Sequence, residues 1–105
     1  MNTLTPSPVY LRDYGIRITA EYRNGPIVTC EATFIREPDG WIVDEIFTRP
    51  ESRRRGHAKA ILQRIVEFSG MPVVPHLILE EAKPFWREMA KEGICARPGA
   101  RKEEG

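Results

Sequence analysis

The stretch Ile46-Phe47-Thr48-Arg49-Pro50-Glu51-Ser52-Arg53-Arg54-Arg55-Gly56-His57-Ala58 concentrates the residues of this chain that can do chemistry. An apolar strand pattern leads into a basic loop, and the loop opens at once into an amphipathic helical pattern. Backbone N–H groups at such a helix start have no intrahelical acceptor. With the positive end of the helix dipole behind them, they bind phosphate. Gly56 lets the main chain approach an anion, and small Ala58 keeps the first turn uncrowded. Arg53, Arg54 and Arg55 add cationic donors for phosphate oxygens. The motif GxxxxGK(S/T), which grips a γ-phosphate with magnesium, is absent, and so is the dinucleotide fingerprint GxGxxG. Taken by itself the arginine triplet also reads as a solvated cluster or a nucleic-acid patch. The strand-loop-helix setting favours phosphate.

The elements that must position this loop follow from hydrophobic period. From Val9 to Arg23, Ile16, Ile18, Ala20 and Tyr22 alternate with polar residues, the pattern of a half-buried strand. Asn24-Gly25 makes a tight turn, and a second strand runs from about Ile27 to Arg36 with Val28, Cys30, Ala32 and Phe34 on one face. Glu37-Pro38-Asp39-Gly40 reads as a type I turn into a third strand, Trp41 to Thr48. In that strand Trp41, Val43 and Phe47 point one way and Ile42 and Ile46 the other, which predicts a strand covered on both faces. A helix follows, with Ala58, Ile61, Leu62, Ile65, Val66 and Ser69 as its apolar stripe and Gly70 and Pro72 as its stop. A short strand is expected from near His76 to Glu80, then a second helix over about Ala82 to Glu92 with Phe85, Trp86, Met89 and Ala90 inward. Ile94-Cys95-Ala96 reads as a last short strand. The fold class is therefore α/β, an antiparallel meander followed by strand-helix-strand-helix, with the strands flanking the first helix parallel.

Composition narrows the function classes. A length of 105 residues predicts one compact domain, with its core over about 9–96 and a charged, mobile tail at 97–105. Sixteen basic against fifteen acidic residues give a net charge of +1, so no bulk attraction to nucleic acid or anionic membrane is expected. No apolar run approaches the roughly 20 residues that span a bilayer. The start carries no secretory pattern. Cys30 and Cys95 stand far apart without a CxxC pair, which suits reduced thiols in a cytoplasmic protein. His57 reads as pointing outward from the first helical turn and His76 as satisfying a strand end. Neither has a second ligand at metal spacing, so no metal is expected.

Arg53-x-x-Gly56-x-Ala58 resembles the acyl-CoA pyrophosphate signature, (Arg or Gln)-x-x-Gly-x-(Gly or Ala), of the GNAT-type N-acetyltransferases. Ala82-Lys83-Pro84-Phe85-Trp86 is similar to the family's Ala-x-x-Phe-Tyr stretch, and Gly93-Ile94 stands where that family often has Gly-Phe. The resemblance covers about 27–96 and implies an acyl-CoA N-acyltransferase-like fold. It implies acetyl-CoA as co-substrate, with main-chain groups of Ile46, Phe47 and Thr48 on the pantetheine arm. The amides from Arg54 to Ala58, His57 among them, would hold the pyrophosphate, with Arg53, Arg54 and Arg55 around it and Trp86 at the cofactor's edge. A primary amine then attacks the thioester directly. Free amines with a pKa near ~10 need a base to lose their proton at neutral pH. Glu45 is the first candidate, with Asp44 on the opposite face and Glu80 at the end of the facing strand. Trp86 replaces the tyrosine that often protonates the leaving thiolate, whose pKa of only ~8.5 lets it leave unaided. A turn at Asn24-Gly25 takes the place of the helical segment that covers the acceptor site in the family. An uncovered site suits a protein or peptide amine, or completion by a second copy in a homodimer. The other class of function is a domain with weak or lost turnover that binds a protein or nucleic acid.

Overall fold

The computed structural model describes residues 8–38, 40–76, 78 and 80–95. The tail expected to be mobile at 97–105 and the first seven residues lie outside them. Five strands form one mixed sheet in chain order: β1 (Val9–Asp13), β2 (Arg17–Asn24), β3 (Ile27–Glu37), β4 (Gly40–Thr48) and β5 (Val73–Pro75). β1 to β4 are antiparallel neighbours, and β5 pairs with β4 in parallel across helix α1 (His57–Ser69). Helix α2 (Lys83–Lys91) follows a 3-10 turn at Glu80–Ala82. The α/β class and the parallel pair across the first helix are as expected.

Three local expectations are corrected. The segment read as one strand is a hairpin: Asp13 Oδ1 accepts the Gly15 N–H at 2.8 Å, and Tyr14 N–H donates to Arg17 O at 2.7 Å. Gly15 sits at φ 92°, the left-handed region glycine enters without a Cβ penalty. The link between the first two strands is therefore this turn rather than Asn24-Gly25, which joins β2 to β3. β5 begins at Val73 and closes at Pro75, whereas the strand was expected from His76 to Glu80. Pro75 has no N–H to extend a ladder. Glu80 lies in the 3-10 turn, paired with Lys83 Nζ at 3.1 Å, and Leu77, Leu79 and Ala96 are outside the described residues. Of the expected last strand, Cys95 forms an isolated parallel bridge to Val73.

The third correction concerns β4. Thr33 faces Glu45 but Phe34 faces Val43, so Asp44 is an extra residue in the ladder, a β-bulge. The bulge inverts the alternation behind it. Ile46 joins Trp41 and Val43 on the face of Ala32 and Phe34, while Phe47 moves to the other face with Ile42. Phe47 is 52% exposed, so this half of β4 is covered on one face and not on both.

The covered face carries the core. Ile18, Ala20, Cys30, Ala32, Phe34, Trp41, Val43 and Val73 of the sheet form one cluster with Ile61, Leu62 and Ile65 of α1 and Trp86 and Met89 of α2. α1 keeps its expected stripe and stops at Gly70, whose N–H donates to Val66 O at 2.7 Å.

Candidate functional site

β4 pairs with β5 only at Trp41, Ile42 and Val43. Beyond the Asp44 bulge, Glu45 to Thr48 keep their β3 partners but have no β5 partner among the described residues. Two causes act at the same level of the sheet: the bulge turns β4, and Pro75 ends the parallel ladder. The result is a β4 edge at Ile46, Phe47 and Thr48 without a β5 partner among the described residues, running into the basic loop.

The loop folds tightly before it opens. Arg49 N–H donates to Thr29 O at 2.9 Å as the chain leaves β4, and Ser52 N–H donates to Arg49 O at 2.8 Å in the 3-10 turn Pro50–Ser52. Arg53 Nε donates to Thr48 O at 3.2 Å, laying that side chain back along the strand end. Arg54 then adopts φ 64°, uncommon for a residue with a Cβ, and Gly56 caps α1 at φ 81° and ψ 11°. The first helical bond is Ala60 N–H to Gly56 O at 2.9 Å. Upstream of it, the N–H groups of Arg54, Arg55, Gly56, His57, Ala58 and Lys59 meet no acceptor among the described residues. A Cβ placed on Gly56 would meet no protein atom within 4 Å, so the space beside these amides is open. Arg53, Arg54 and Arg55 are all exposed around it. Orphan donors and a helix dipole face open space within a loop that carries three exposed arginines, and that donor set suits a diphosphate.

His57 does not point outward as expected. Its ring stacks on Tyr22 with centroids 3.9 Å apart and planes at 9°, and Nδ1 lies 2.8 Å from Thr29 Oγ1. Thr29 Oγ1 is also 3.3 Å from Tyr22 O. A carbonyl only accepts, so the hydroxyl donates to Tyr22 O and accepts from His57 Nδ1–H. Burial, and next the charge of Arg55, lower the His57 pKa from its ordinary value, which keeps the ring neutral near pH 7. Thr29 is itself a bulge residue: Tyr22 faces Cys30 and Arg23 faces Val28, leaving Thr29 extra in β3 and 5% exposed. No motif singled it out. In sequence it reads as one of the polar residues that alternate with Val28, Cys30 and Ala32.

Glu45 projects from the face of the sheet opposite α1, into a groove of about 450 Å³ lined by Thr19, Glu21, Glu31, Thr33 and Phe47. Its carboxylate makes no hydrogen bond or ion pair among the described residues, while Glu21 is tied to Arg23 at 2.8 Å. Trp86, which the resemblance put among the cofactor-binding residues, is 4% exposed and edge-to-face with Phe85, centroids 5.0 Å apart. Its carbonyl accepts a long contact from Cys95 Sγ at 3.7 Å. Both cysteines are free and buried; burial raises Cys30, and pushes Cys95 up to about 11. Among the described residues no group of His, Cys, Asp and Glu is placed to hold a metal, and no helix is long and apolar enough to cross a membrane.

No protein-family model and no curated protein matches the chain. Solved structures do. A Bacteroides thetaiotaomicron chain described as a GNAT-family acetyltransferase superposes with a TM-score of 0.53 at 20% identity, over 75% of this chain and 47% of that one. A Clostridium difficile 630 chain described as a possible acetyltransferase gives 0.62 at 12% identity, over 89% and 68%. A Trypanosoma brucei acetyltransferase gives 0.59 at 18% identity, over 86% and 66%. The protein thus spans about half the length of the first and about two thirds of the other two. At these identities the likeness speaks for architecture: the chain has the acyl-CoA N-acyltransferase-like fold of the GNAT acetyltransferases.

Proposed function

We propose that the protein is an N-acetyltransferase that uses acetyl-CoA and acetylates a primary amine carried by a protein or peptide. The observation that carries this reading is the row of acceptorless amides from Arg54 to Lys59, opening onto free space beside Gly56. Amides 54 to 58, with Arg53, Arg54 and Arg55, would hold the pyrophosphate, and the β4 edge at Ile46, Phe47 and Thr48, which has no β5 partner among the described residues, would hold the pantetheine amides. Acetyl-CoA supplies the acetyl group as an activated thioester. Glu45 takes the proton that the attacking amine sheds, across the open groove it shares with Thr33 and Phe47. The tight turn at Tyr14–Ile16 leaves that groove without a helical cover between the first two strands, and this supports a bulky acceptor over a small enclosed one.

Calorimetric titration with CoA and acetyl-CoA tests the reading. The wild type binds both. Gly56→Glu weakens binding at least a hundredfold, about 2.7 kcal/mol, because it sets bulk and negative charge where the anion lies. Gly56→Ala carries the same backbone strain without the charge and weakens binding far less. Circular dichroism remains native for both. No heat from the wild type at millimolar ligand would overturn the assignment.

A further inference from the structure

The loop from Arg49 to Gly56 is held at both ends by one residue. The Thr29 carbonyl accepts the Arg49 N–H at 2.9 Å where the chain leaves β4. The Thr29 hydroxyl accepts from His57 Nδ1 at 2.8 Å where the chain enters α1. Thr29 can serve both because the bulge frees it from the β2 ladder, while its carbonyl still prolongs the β3–β4 ladder by one rung, and because it is buried. Tyr22, across the same bulge, closes the arrangement: its carbonyl accepts a hydrogen bond from the Thr29 hydroxyl and its ring stacks on the imidazole. Between the two anchor points lie the left-handed Arg54 and Gly56, which turn the free amides outward. The bonds within the loop, Ser52 N–H to Arg49 O and Arg53 Nε to Thr48 O, order its first half, while Thr29 alone among the described residues bonds both Arg49 and His57.

We propose that Thr29 is a positioning residue that staples both ends of the anion loop through Arg49 N–H and the His57 ring, and so presets the amide cradle for diphosphate. The proposal rests on the pyrophosphate reading of the loop. Preorganisation of this kind shows in affinity for the anion and not in the chemical step.

The experiment compares Thr29→Val, which keeps the shape and removes the hydroxyl, with Thr29→Ser, which keeps the hydroxyl. Thr29→Val raises the Kd for CoA and the KM for acetyl-CoA about tenfold, while kcat at saturation changes less than twofold. Thr29→Ser restores most of the affinity. In the ligand-free protein, amide hydrogen exchange at Ala60, whose N–H bonds Gly56 O, speeds up in Thr29→Val and not in Thr29→Ser. Should Thr29→Val fail to fold, His57→Phe replaces it: that variant keeps a ring on Tyr22, loses the donor, and shows the same loss. Wild-type CoA affinity in a folded Thr29→Val would overturn the proposal, and so would equal losses in the valine and serine variants. A wild type that binds no CoA removes the transferase reading instead. Exchange at the α1 start then decides the staple by itself, and unchanged rates in Thr29→Val reject it.

Discussion

The two faces of the sheet are built from the same strands and do opposite work. On the α1 face, Ile18, Phe34 and Cys30 are fully buried and pack with Ile61, Leu62 and Ile65. On the other face, the next residues along the same strands are Thr19, Glu21, Glu31, Thr33, Glu45 and Phe47, and they line an open groove. One inserted residue, Asp44, decides where β4 changes sides. Ahead of it Val43 belongs to the core; behind it Glu45 faces the groove. Packing is therefore concentrated on one side of the sheet and carboxylates on the other, with the basic loop at the end where the strands part.

The contrast breaks most visibly in stability. Phe34→Ala, at a fully buried position, costs roughly 3–5 kcal/mol, as emptied aromatic sites do. Phe47→Ala, half exposed across the sheet, stays within about 0.5 kcal/mol. Urea melts of the two variants check this, and similar losses in both would mean that the groove face is covered in solution. In catalysis the order reverses: Glu45→Gln lowers kcat about a hundredfold with unchanged KM for acetyl-CoA and unchanged melting. A kcat within twofold of the wild type would take Glu45 out of the mechanism.

The smallest effect is a pH dependence. Since burial and Arg55 lower the His57 pKa in the fold, the unfolded chain takes up its proton first as pH falls through about 6.5. In that window the unfolded state binds more protons, so the fold loses stability as the solution is acidified and keeps it above. His57→Asn cannot titrate. The Tm difference between wild type and His57→Asn therefore shifts against the wild type on going from pH 7.5 to pH 5.5. A difference that stays constant, or moves in the wild type's favour, would mean that His57 is not held neutral by its surroundings.

The stripe of α1, its stop at Gly70 and the inward face of α2 are legible from period and punctuation, because burial there follows residue type. So is the loop, since Arg53-x-x-Gly56-x-Ala58 is a local pattern. The hairpin at Tyr14–Ile16 is hidden because Ile16 extends the alternation of β2 while standing 73% exposed in the turn. The bulges at Thr29 and Asp44 are hidden for a different reason. Each adds one residue to a ladder without changing composition, and the side a residue faces depends on its partner strand. That is why period alone puts Phe47 on the face of Trp41, and why His57, a polar residue in a first helical turn, reads as facing solvent. Its partners come from β2 and β3, 35 and 28 positions earlier in the chain.

Amide chemical-shift mapping of the labelled protein with CoA addresses the anion loop most directly. The largest perturbations are predicted at Arg54, Arg55, Gly56, His57 and Ala58, with a second set along Ile46 to Thr48. Shifts confined to other surfaces, or none at millimolar CoA, would contradict the account.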